Sequence, residues 1–174
     1  DALFAGRGSS DLLLPRAGLS ALLPEAAQTW LEARGAQLLL GRRVHHLAPQ
    51  GGRWQVDGQA ADAVVLACSA PEAARLAQAL SPSWADDARA MRHEPIVTAY
   101  LHDARLRLPH PMSALHADAH APAQFVFDLG ALGQAPGLFA FVVSGAAPWL
   151  QLGLAETGQA VLAQARQCFS GHFD

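Results

Sequence analysis

Two glycine turns lie so close together that the segments around them can only be short strands. Residues 43–68 read RVHHLAPQGGRWQVDGQAADAVVLAC. Gln50-Gly51-Gly52 and Asp57-Gly58 are hairpin signals, because glycine accepts the positive φ that tight strand-to-strand turns need. RVHHLA, RWQVD and QAADAVVLAC, separated by PQGG and DG, therefore read as an up-and-down β-meander. It feeds into a buried strand over Ala63–Ala67, and AQLLL just before it (residues 36–40) reads as another short buried strand. Small residues then follow, Ala67-Cys68-Ser69-Ala70-Pro71, which let either a packed helix or a ligand approach the backbone closely.

Helical periods flank this region. Pro24 suits a first helical turn, Ala27, Trp30 and Leu31 recur on one face, and Gly35 sits where a C-terminal cap belongs, so a helix is expected over Pro24–Arg34. PEAARLAQAL after Ala70 is a second helix. SPSWADDARAM is a third, with Ser81 as N-cap and Trp84, Ala88 and Met91 on one face. PIVTAYLH, QFVFD and LFAFVVSG are β-rich, and the last is apolar enough to be central in a sheet. Val161, Leu162, Ala165, Cys168 and Phe169 mark a closing helix over residues 155–169. The expected class is α+β: a mixed β-sheet domain with flanking helices, joined to a meander-and-strand piece of an α/β domain.

Composition excludes several functions. The 174 residues carry a net charge of -3 with no run of one sign, so nucleic-acid binding, which needs a basic face to neutralise phosphates, is not expected. The two cysteines have no metal-type spacing, and a reduced cytoplasmic chain fits them best. No uninterrupted apolar stretch is long enough for a membrane span. The start at Asp1 and the end just past a helical pattern point to a piece of a longer protein.

Isolated motifs carry little chemistry. GRGSSD (residues 6–11) fails the dinucleotide pattern because Asp11 stands where the third glycine should be; it reads as a surface turn. His116 and His120 flank Asp118 but lack an evident third metal ligand, so a solvated loop is expected. His45 and His46 alternate across a strand and cannot point at one ion. No nucleophile elbow is present.

The stretch from Gly35 to Leu76 resembles a segment of the flavin amine oxidase and phytoene desaturase superfamily, in which the chain returns from the substrate domain to the FAD domain. The matching residues are Val44 and Leu47 of a "Val-x-x-Leu" strand, then Ala61-Asp62, Val64-Val65, Ala67 and Pro71. The flanks SDLLLPRAGLSALLPEAAQTWLEARGA, PIVTAYLHDARLRLPHPM and AQFVFDLGALGQAPGLFAFVVSGA resemble the squalene-associated branch, the hydroxysqualene dehydroxylases of hopanoid synthesis. The resemblance implies an FAD-dependent oxidoreductase that replaces the hydroxyl of hydroxysqualene with hydrogen. Phytoene-type desaturation, amine oxidation and a non-catalytic lipid-binding module are the alternatives. Many amine oxidases use a lysine near the flavin, and this chain has no lysine.

The resemblance further implies that residues 1–35 and 79–174 belong to the substrate-binding domain and residues 36–78 to the FAD-binding domain. It implies FAD contacts at Val44, through its backbone to the adenine, and at Cys68, Ser69 and Ala70. Tyr100, Met112, Phe125, Phe127, Phe139 and Phe141 are the candidates to line a pocket for an isoprenoid, and strand alternation allows only about half of them on one side. No catalytic acid is assigned; were one to lie in this chain, Asp128 or a histidine of residues 110–120 would be the place to look. An apolar substrate fits peripheral contact with a membrane. The N-terminal dinucleotide fingerprint of the family is not in this chain, so the isolated chain is expected to be inactive and to bind FAD more weakly than low-micromolar, or not at all.

Overall fold

A computed structural model describes residues 6, 8, 11–169 and 173. In chain order the elements are α1 (Leu19–Leu22), α2 (Pro24–Glu32), β1 (Leu47–Gln50), β2 (Arg53–Val56), β3 (Gln59–Ala61), α3 (Ala70–Ala77), α4 (Pro82–Ala90), β4 (Val97–His102), β5 (Met112–Ala114), β6 (Phe125–Asp128), β7 (Leu138–Val143), α5 (Ala147–Leu152) and α6 (Leu154–Cys168). They fall into two compact units, residues 37–93 and residues 1–36 with 94–174. Helices and sheets are both present and segregated, which is the α+β class.

In the unit of residues 37–93, β1, β2 and β3 form the expected meander, antiparallel throughout. Gln50 pairs with Arg53 and Val56 with Gln59, so each connection is a two-residue loop. All four loop residues have positive φ: Gly51 58°, Gly52 79°, Asp57 47° and Gly58 84°. That is the mirror-image turn whose twist matches the strands. The turn was expected to include Pro49 and Gln50, but both lie within β1. Proline is tolerated there because β1 is an edge strand, where a missing N–H breaks no necessary ladder bond.

The two buried strands expected here are not found among the described residues. Ala63–Ala67 joins no strand, the Ala67 N–H donating within the segment to the Val65 carbonyl at 3.2 Å, and Val65 is 87% exposed. Residues 36–40 likewise join no sheet, and Leu40 is 78% exposed. The meander uses only residues 47–61, and no described strand offers a further ladder. The helix pair α3 and α4 packs through Ala74, Ala85 and Ala88. Trp84 and Met91, expected on the packed face of α4, are instead largely exposed, because alanine contacts set the close approach. Ser81 occupies the N-cap position without a side-chain capping bond.

The other unit is built on a four-stranded sheet of order β4-β7-β6-β5. Every pair in it is antiparallel, so the expected mixed sheet is replaced by a purely antiparallel one. The apolar strand β7 is central, as its composition indicates. Its odd-numbered residues Phe139, Phe141 and Val143 point into the core with Leu101 and Val126, against Val161 and Ala165 of α6. Phe173 meets Phe139 and Phe141 edge-on, at ring distances of 5.9 and 6.0 Å. Leu162 and Phe169 pack at the margin of this core, while Cys168 is exposed. In α2, none of whose residues is buried, Trp30 is covered on one face by the Arg34 guanidinium, 3.7 Å from the ring centre.

Candidate functional site

Residues 42–46 precede β1 and belong to no strand, so their backbone lacks ladder bonds. Ionised side chains hold it instead. The N–H groups of His45 and His46 donate to the Asp57 carboxylate at 3.0 and 2.7 Å, and the Asp57 N–H donates to the His46 carbonyl at 3.0 Å. From α3, Arg75 donates to the Val44 carbonyl at 2.6 Å and to the His45 carbonyl at 3.2 Å. Glu72 accepts from Arg75 at 3.0 Å and also pairs with Arg43. The hydrogen bond from His46 holds the Asp57 carboxyl below its ordinary value, and the bond from Arg75, with the charge of Arg43, does the same for Glu72.

This arrangement borders an open groove of about 520 Å³. Val44, Leu47, Val56, Val64, Leu66 and Leu76 supply its apolar surface, and Arg43, Glu72 and Arg75 its charged margin. Two guanidiniums against one carboxylate leave one net positive charge on that margin. The Val44 N–H has no hydrogen-bond partner among the described residues. An apolar groove of this volume with a few polar groups at its edge has the size and lining of a small-molecule or cofactor site. The donor set therefore fits part of a flavin nucleotide.

Of the residues singled out from the sequence, Val44 and Cys68 line this same groove. Ser69 and Ala70 continue from Cys68 into the first turn of α3, where the Ser69 carbonyl accepts from the Ala73 N–H at 2.9 Å. Sequence reading missed Arg43, Asp57, Glu72 and Arg75. The one available signal was the acid-base pair at i and i+3 behind Pro71. Asp57 was visible only as a turn residue.

The remaining candidates lie on the four-stranded sheet. Tyr100 pairs with Ala140, Ala140 with Phe127, and Phe127 with Met112, one unbroken row across all four strands. Phe125 heads the adjacent row, between Val142 and Ala114. Directly paired residues project to one side, so Tyr100, Met112, Phe125 and Phe127 share the face opposite the Phe139–Phe141 core. Phe139 and Phe141 are fully buried on the other side. Asp128 follows Phe127 and projects with the core; its carboxylate accepts from the Ala131 N–H at 2.9 Å.

The other motifs are turns. In GRGSSD, Gly6, Gly8 and Asp11 are described, and the Asp11 N–H donates to the Gly8 carbonyl at 3.1 Å; Arg7, Ser9 and Ser10 lie outside the described residues. Asp118 accepts from the N–H groups of His120 and Ala121 at 2.7 and 2.9 Å, which closes its loop and lowers its carboxyl below the ordinary value. Among the described residues no group of three His, Cys, Asp or Glu could hold a metal ion. No described helix is long and apolar enough to cross a membrane.

The Asp57 clamp makes a pH prediction. Its folded carboxyl titrates below the ordinary 3.8, so its stabilising contribution is present above that value and is lost as pH falls through the lowered one. The amide resonances of His45 and His46 are expected to shift together at a pH below 3.8, and Asp57→Asn should abolish that step. A common step at or above 3.8 would show that the carboxylate does not hold these amides.

No curated protein matches the chain. The family model for flavin containing amine oxidoreductases matches residues 3–173, so the chain belongs to the flavin-containing amine oxidoreductase family.

Proposed function

We propose that this chain is the central part of an FAD-dependent oxidoreductase that converts hydroxysqualene to squalene. The observation that carries the substrate class is the open face of the four-stranded sheet. Its two rows, Tyr100-Ala140-Phe127-Met112 and Thr98-Val142-Phe125-Ala114, contain no charged side chain. A long isoprenoid has almost nothing to hydrogen-bond, so it must be held by buried apolar area, at about 25 cal/mol per Å². A face of this kind suits such a chain and offers no counter-charge for an ammonium substrate. The absence of lysine from the whole sequence points the same way.

FAD, when bound in its reduced form, supplies the hydride that replaces the hydroxyl, which leaves with a proton as water. In this reading the Val44 backbone and the loop Cys68–Ala70 bind one end of the cofactor. Tyr100, Met112, Phe125 and Phe127 hold the isoprenoid and exclude water. An apolar substrate of this kind is best collected from a membrane surface by peripheral contact.

The test uses the full-length protein in which these residues occur. Its flavin is reduced without oxygen, hydroxysqualene is added, and flavin reoxidation and product are followed together. Squalene formed in step with reoxidation is the expected result. A reduced flavin indifferent to hydroxysqualene would remove this substrate and bring desaturation or amine oxidation forward. A protein that holds no flavin would favour the lipid-binding module.

A further inference from the structure

Residues 43–46, of which Arg43 and Val44 line the groove, belong to no strand. A backbone carbonyl in such a segment is free to rotate unless something outside the ladder fixes it. Here one guanidinium meets two successive carbonyls, those of Val44 and His45. The planar fork of arginine suits this double contact, which a lysine ammonium cannot reproduce with the same geometry. Glu72 holds the fork in place from one turn earlier on the same helix. Arg75 is about a third exposed and Asp57 is at the surface, so neither serves to fill a core.

We infer that Arg75, oriented by Glu72, is a positioning residue for cofactor affinity: it fixes the peptide planes of Val44 and His45 so that the Val44 N–H is presented to the ligand in the groove. The inference rests on the flavin reading of that groove. Arg75 stands on the charged margin of the groove, and the role assigned to it is exerted through the backbone carbonyls it holds. With the Val44 carbonyl held on the α3 side, the plane of the 43–44 peptide, which carries the Val44 N–H, is constrained through a single residue. With His45 and His46 tied to Asp57, the segment is pinned from both sides while the Val44 N–H is left unused.

The experiment is a titration of FAD into the deflavinated full-length protein, followed by quenching of flavin fluorescence. It compares the unmodified protein with Arg75→Ala, Arg75→Lys and Glu72→Gln, alongside the melting temperature of each flavin-free form. Expected are a roughly tenfold weaker Kd for Arg75→Ala and about threefold for Arg75→Lys and Glu72→Gln, one or both contacts to the carbonyls being lost or loosened. Flavin-free melting temperatures should stay close together. A Kd for Arg75→Ala within twofold of the unmodified protein would overturn the inference. So would a weaker Kd matched by an equal fall in flavin-free stability and no recovery in Arg75→Lys, since that pattern means Arg75 only anchors α3. If Arg75→Ala does not fold, Glu72→Gln decides: an unchanged Kd there overturns it. An unmodified protein that binds no FAD would refute the flavin reading itself, an outcome distinct from all of these.

Discussion

Phe141→Ala is expected to lower folding stability by about 3–5 kcal/mol. Phe141 is fully buried on the central strand and meets Phe169 and Phe173 edge-on, at ring distances of 6.4 and 6.0 Å. Val126 pairs with it directly and is equally buried. Strands on both sides of β7 hold the backbone in register, so the site cannot collapse around the missing ring. The loss therefore contains both the transfer of the ring and the cavity it leaves. Urea unfolding of the full-length protein reads it as a lower midpoint at unchanged slope. Phe127→Ala, one strand over but on the open face, should cost much less in stability and act on substrate binding. Equal losses for the two would mean that both faces of the sheet are core.

Gln164→Leu is expected to cost about 2–4 kcal/mol, although it exchanges an amide for an apolar side chain of similar size. Gln164 is 2% exposed on α6. Its Oε1 accepts from the Ala123 N–H at 2.8 Å, and its Nε2 donates to the carbonyls of Ala123 and His116 at 2.9 and 3.0 Å. One side chain thus completes the backbone bonding of the loop that delivers β6. Leucine would leave the buried Ala123 N–H and carbonyl unpaired, which costs more than the original bonds contribute. Gln164→Glu should be no better at neutral pH, since a carboxylate can accept from Ala123 but has no proton for the two carbonyls. Thermal melting that leaves Gln164→Leu within 0.5 kcal/mol of the parent would show that water reaches this loop.

Both effects bear on function, because the core face of the sheet fixes the other face. Phe141 inward places Val142 outward, and Phe125 beside it. The row that we assign to the isoprenoid is the reverse side of the row that holds the fold together.

Local chemistry determined much of this protein in advance. The Gly51-Gly52 and Asp57-Gly58 turns set the meander because positive φ at four positions admits one kind of hairpin. The continuous apolar run at 138–143 required a central strand. Pro24, Pro71 and Pro82 each open a helix where a first turn needs no N–H donor. Each of these follows from one or a few adjacent residues.

What the sequence could not decide depends on partners far along the chain. Ala63–Ala67 has the composition of a buried strand, yet strand formation needs a neighbour, and its composition does not say whether one is there. Trp84 was expected on one face of α4 with Ala88 and Met91, but the approach of α3 is set by Ala74 against Ala85 and Ala88. The four apolar residues Tyr100, Met112, Phe125 and Phe127 come from strands of three different hairpin arms, and only register placed them on one face while sending Phe139 and Phe141 to the other. Arg75 stands 31 residues from Val44, and its role is invisible until helix and segment are brought together. Turns and helix starts are short-range steric facts; pairing, face and carbonyl capture are long-range contacts, and those the tertiary structure alone decided.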